Sequence, residues 1–138
     1  MSSDPNSIVV SDQSDQPTKA VEVGPSRSER WQQAVWFKTD GRYEEALLEL
    51  KALLVDYPND AEIHHQVGLI LGFTGAFEQS LTELLKAVEL SGENTVIRND
   101  LALTYTMLGM YDEAKGQFAR VLERDRDNQI ALRNLTYF

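Results

Sequence analysis

The sequence predicts an all-α protein, a right-handed solenoid of stacked helix–turn–helix repeats, and three observations predict it. Gly41, Gly75 and Gly109 lie 34 residues apart, and an aromatic follows each two positions later: Tyr43, Phe77 and Tyr111. A fixed period of this size marks copies of one supersecondary unit stacked on one another. Small side chains recur in the same frame, Ala34, Gly68 and Ala102 at one position and Ala46, Ser80 and Ala114 at another, where they let paired helices approach closely. Each repeat closes on Asp60, Asn94 or Asn128, whose side-chain oxygens accept from the open amides of a helix's first turn.

With repeats at 27–60, 61–94 and 95–128, the elements follow in order. The first pair is expected at 28–39 and 43–56, broken at Gly41. Glycine adopts the left-handed conformation that commonly terminates a helix without a Cβ penalty. The second helix opens with Glu44 and Glu45, whose charge complements the amide end of the helix dipole. The second pair, 61–74 and 77–91, starts after Asp60 and reopens with Glu78. The third, 95–108 and 111–125, starts after Asn94 and reopens with Asp112 and Glu113. A seventh helix begins at Gln129, after Asn128, and runs to Phe138. Leu50, Leu84 and Phe118, with Leu53, Ala87 and Val121 three residues on, supply the bulk between paired helices.

This pattern resembles the tetratricopeptide repeat family, whose signature is W-x2-L-G-x2-Y, then A-x3-F, then P. The second repeat reads His64, Val67, Gly68 and Leu71, then Ser80, Leu84 and Gly92. The third reads Arg98, Leu101, Ala102 and Tyr105, then Ala114, Phe118 and Arg126. The first departs at its start (Arg30, Gln33, Ala34, Phe37) and recovers with Ala46, Leu50 and Pro58. The resemblance covers 27–138 and implies a fold that mostly binds other proteins. Function itself lies in the surface carried by the fold.

Composition bounds the rest. The chain has 138 residues, 42% of them hydrophobic, with no cysteine and a formal charge of −9. That is room for one domain and a tail. Without cysteine there are no disulfides and no thiol nucleophile. An acidic surface argues against nucleic acid, where affinity comes largely from neutralising phosphates. No apolar run reaches the ~18–20 residues of a membrane span, and the start MSSDPNSIVVSD lacks the basic and apolar regions of a secretory signal, so the chain reads as cytoplasmic. Residues 1–26, rich in Ser, Asp, Gln and Pro, read as a disordered leader. Ile8, Val9 and Val10 form an apolar patch in it, with docking into a groove as the alternative reading.

Catalytic constellations are lacking, and no cofactor is expected. His64 and His65 point roughly 100° apart on a helix and cannot chelate together. Glu62 and His65 share a face but have no evident third metal ligand, so packing explains them better. Paired acids such as Glu44 and Glu45 are helix-start charges. A non-enzymatic role is therefore expected.

The resemblance implies a concave groove lined by the first helix of each repeat. Carried over by position, it offers Ser28, Trp31, Val35, Lys38 and Thr39, then Glu62, His65, Leu69, Gly72 and Phe73, then Val96, Asn99, Leu103, Thr106 and Met107. The last helix adds Ile130, Arg133 and Tyr137. The candidate peptide-binding residues are Trp31, Val35, Lys38, His65, Leu69, Phe73, Asn99, Leu103, Met107 and Arg133. A row this apolar facing water marks a binding surface, and packing between neighbouring first helices is the competing account of each residue alone. Family members that grip an acidic chaperone tail use a basic and amide clamp. Here those positions hold Trp31, Val35, Gln66, Val96 and Asp100, and Asp100 would repel a carboxylate. An apolar or amphipathic segment of a partner protein fits better. The second functional class is self-assembly: Leu132 and Leu135 would face a second helix that the sequence does not supply, and with Tyr137 and Phe138 they suggest a homodimer through the last helix.

Overall fold

The computed structural model describes residues 24–138. Among them are seven helices and no strand: α1 (Arg27–Thr39), α2 (Tyr43–Asp56), α3 (Ala61–Phe73), α4 (Phe77–Leu90), α5 (Thr95–Met107), α6 (Tyr111–Arg124) and α7 (Gln129–Leu135). Most of the leader expected over 1–26, with its Ile8, Val9 and Val10 patch, lies outside the described residues. Ser26 belongs to the fold: its hydroxyl accepts from the Glu29 amide at 3.1 Å while the Glu29 carboxylate accepts from the Ser26 amide at 2.9 Å. This reciprocal cap fixes the start of α1.

Every first helix is capped from its side chain, by Ser26, Asp60, Asn94 or Asn128. The second helices α2, α4 and α6 begin without such a cap, at Arg42, Ala76 and Met110. Their turns are held from the other side. Gly41, Gly75 and Gly109 have φ of 78°, 86° and 76°. The following residue then bonds back over the end of the preceding helix: Arg42 to the Phe37 carbonyl (2.8 Å), Ala76 to Leu71 (2.9 Å) and Met110 to Tyr105 (2.9 Å). A left-handed residue followed by such a bond closes a helix by satisfying its last carbonyls. Beside the first of these turns, the Arg42 guanidinium bonds the Glu45 carboxylate at 3.0 Å and holds that carboxyl below its usual value.

α1 packs on α2, α3 on α4 and α5 on α6, with α2 on α3, α4 on α5 and α6 on α7 joining the units. The buried residues form two clusters. One contains Ala34, Ala46, Leu50, Leu53, Ile63 and Ile70; the other contains Leu84, Leu101, Ala102, Phe118, Val121 and Ala131. Between them lies a contact of small groups, where the Ser80 hydroxyl of α4 donates to the Gly68 carbonyl of α3 at 2.7 Å.

The last helix is shorter than the sequence suggested. It stops at Leu135, and Tyr137 and Phe138 bond three residues back, to Asn134 and Leu135. The tighter turn brings the Phe138 ring against Tyr111 and Phe118 of α6, at centroid distances of 5.8 and 6.4 Å. Leu135 is half-buried against the second cluster, so of the two leucines only Leu132 stays exposed.

Candidate functional site

The first helices α1, α3, α5 and α7 start from equivalent caps one period apart, and a recess opens where two of them flank a second helix. Leu69, Gly72 and Phe73 of α3 form one wall, Leu103 and Met107 of α5 the other, and Phe77 and Leu84 of α4 the floor. Its volume is about 220 Å³. Phe73 is 56% exposed and Met107 61% exposed, so the rim carries large apolar side chains in water. Phe73 is held from behind by Tyr43, with ring centroids 5.8 Å apart.

One repeat further along, Thr106, Tyr111, Asn134, Tyr137 and Phe138, with Lys115, line a second recess of about 600 Å³. Thr106, Tyr111, Asn134, Tyr137 and Phe138 stand 34 positions after Gly72, Phe77, Asp100, Leu103 and Thr104 of the first. The two recesses are therefore the same feature repeated. A still larger hollow lined by Arg98, Arg120, Arg124, Glu93 and Glu123 has a different chemistry. Arg98 already donates to the Gly92 carbonyl and Arg124 pairs with Glu93, and burial, then the neighbouring Arg120 charge, lower Arg98 from its usual value.

The expected groove residues divide into three groups. Val35, Phe73, Met107 and Arg133 are exposed, and Leu69, Leu103, Lys38 and Trp31 are half-buried. Trp31 packs against the first core cluster beneath the Arg27 guanidinium, and Leu103 against the second cluster. His65 and Asn99 do not face a groove. Both are buried, because each spends its polar group on the next repeat: His65 Nε2 meets Asp100 Oδ2 at 2.7 Å, and Asn99 Nδ2 donates to Asn128 Oδ1 at 3.0 Å. Lys38 Nζ likewise donates to Gln66 Oε1 at 2.8 Å. These three bonds form a polar ladder between successive first helices. Single-helix periodicity gives no signal for it, since the partners lie 28 to 35 residues apart. Trp36, exposed beside the Arg42 guanidinium, is an aromatic surface residue that the groove positions did not include.

The tetratricopeptide repeat model matches residues 61–94, one full period of the array, and the same caps and glycine turns flank it on both sides. The chain has the tetratricopeptide repeat fold. Human Superkiller complex protein 3 is 24% identical over 118 residues, a match that covers 86% of the chain but 8% of that relative's length. The first tetratricopeptide domain of Spaghetti (RPAP3), bound to the HSP90 peptide SRMEEVD, superposes with a TM-score of 0.75 at 19% identity, covering 78% of this chain and 86% of that one. The second such domain of human RPAP3, in complex with the HSP70 peptide SGPTIEEVD, gives 0.74 at 20% identity, covering 78% and 90%. At these identities the likeness establishes the tetratricopeptide fold. Among the described residues no helix is long and apolar enough to cross a membrane.

Proposed function

We propose that the chain is a non-enzymatic protein–protein interaction module, an adaptor, scaffold or chaperone, that takes an apolar or amphipathic partner segment on its concave face. The observation that carries this reading is the recess between α3 and α5, with Phe73 and Met107 exposed at its rim. Its repetition one unit later suits an extended occupant more than a single small molecule. The peptides in the two RPAP3 structures both end in an acidic EEVD tail. The basic clamp for such a tail is replaced here by Trp31, Val35, Gln66, Val96 and Asp100. Asp100 is engaged by His65, and Gln66 by Lys38, so a different occupant is proposed. The acidic balance of −9 supports a partner other than nucleic acid, and the cysteine-free composition suits a cytoplasmic setting.

A displayed library of short peptides, selected on the full chain, tests this. Enriched peptides should be apolar or amphipathic. Phe73→Glu combined with Met107→Glu should weaken them at least about tenfold, a change of ~1.4 kcal/mol, while circular dichroism stays unchanged because both side chains are already mostly in water. Equal affinity for the folded double variant would move recognition to another face.

A second reading, self-association, draws on the last helix. Leu132 is 40% exposed and Tyr137 79% exposed, adjoining the larger apolar recess. A second copy related by a two-fold axis would cover them, as in most homo-oligomers. Light scattering at micromolar concentration should then report a dimer that Leu132→Glu with Tyr137→Lys converts to monomer. A wild-type chain that remains monomeric across that range removes this reading.

A further inference from the structure

Position four of the three repeats holds Arg30, His64 and Arg98. In the third repeat, Arg98 clasps two acceptors: Nη2 donates to the Gly92 carbonyl at 2.9 Å and Nη1 to Gln117 Oε1 at 2.6 Å. In the second repeat, His64 reaches the two equivalent acceptors, each 34 residues earlier. Its Nε2 lies 2.7 Å from the Pro58 carbonyl and its Nδ1 2.8 Å from Glu83 Oε1. Arginine always carries enough protons for such a clasp. Histidine does not.

A carbonyl oxygen can only accept, so Nε2 must carry a proton. An ionised carboxylate can only accept as well, so Nδ1 must carry one too. A neutral ring has one N–H and leaves one of the two contacts as lone pair against lone pair. The arrangement closes only when the His64–Glu83 pair holds one proton more than a neutral imidazole beside a carboxylate. His65 differs: it makes a single bond, from Nε2 to Asp100, which a neutral ring supplies equally well.

We infer that His64 is a proton-dependent clasp that ties the α2–α3 loop to α3 and α4, so that the joint between the first and second repeats loosens as pH rises. The other charges around it are engaged. Arg27 of α1 holds Asp60 at 2.6 Å and reaches Glu62 at 4.0 Å, Arg30 holds Asp56 of α2 at 2.8 Å, and Lys86 of α4 pairs with Glu89 at 3.7 Å. Asp100 of α5 belongs to His65. The extra proton thus falls to the His64–Glu83 pair, whose side chains are only 12% and 27% exposed. The sign follows from proton counting. A chain that binds one proton more when folded than when unfolded loses stability as pH rises.

Melting of the full chain at pH 6 and pH 8 tests the clasp, with His64→Arg and Glu83→Gln alongside. The wild type should melt about 3–6 °C lower at pH 8 than at pH 6, the shift that loss of one such bond gives in a domain of this size. His64→Arg reproduces the Arg98 clasp and should remove most of that difference. Glu83→Gln should do the same, because its amide can donate to a bare Nδ1. A wild type without the shift, or a His64→Arg variant that keeps it in full, overturns the inference. Ring-nitrogen NMR on the wild type at pH 7 serves if a variant fails to fold: two protonated nitrogens on His64 support the clasp, and one bare nitrogen refutes it.

Discussion

Replacing Phe118 with alanine will destabilise the array by about 3–5 kcal/mol, the loss found when a fully buried aromatic is cut to a methyl group. Phe118 has no exposed surface and sits in the second cluster against Leu84 and Ala102, with the Phe138 ring 6.4 Å away. Helix packing on both sides limits collapse into the vacated space. Denaturant titration followed by circular dichroism measures the loss. Both tryptophans, Trp31 and Trp36, lie in α1 and so report the first cluster alone. Because stability in a repeat array is a sum of units and nearest-neighbour contacts, the fluorescence midpoint should move less than the helical one. Equal movement of both probes would show a single cooperative unit, and a loss below about 1 kcal/mol would show that Phe118 is not held as tightly as its burial implies.

The second large effect is expected at Gly68. A Cβ there would lie 2.8 Å from both Cγ and Cδ2 of Leu84, and 3.4 Å from the Ser80 carbonyl. Valine adds two methyl groups to that contact and should destabilise by about 1–3 kcal/mol, the usual cost of overpacking. Alanine is a milder case, since it returns up to ~1 kcal/mol of helix propensity. Ala34 and Ala102 occupy the same position opposite Leu50 and Phe118. The ordering glycine, then alanine, then valine in denaturation midpoint is the expected result. A valine variant as stable as wild type would mean that α3 and α4 separate freely.

How legible the molecule was depends on how local the cause is. Helix boundaries depend on nearest neighbours, a cap such as Asp60 or a left-handed glycine such as Gly75, and the six helices of the three repeats lie within two residues of expectation. α7 ended early because Phe138 turns back onto an aromatic 20 residues upstream, which no local rule contains. The groove was harder to read. The family resemblance places Phe73 and Met107 in the groove, and both are exposed. The resemblance places His65 and Asn99 there too, yet the distance between successive first helices brings Asp100 and Asn128 within bonding range. That distance is a property of packing across a repeat, and single-helix geometry cannot supply it. Asp100, read from sequence as a charge that would repel a carboxylate, is half of a contact between α3 and α5.

The division of the core has a consequence for work done on the chain. The first cluster ends at Leu71 and the second begins at Leu84, and where α3 meets α4 between them stand Gly68, Ser80 and one hydroxyl bond. The recess straddles this line, with Phe73 beyond the end of the first cluster and Leu84 and Leu103 against the second. An occupant seated there would touch both halves and act as a splint. Prying either half open would then first require breaking its contacts, so a bound partner would add a mechanical tie across the line between the two clusters.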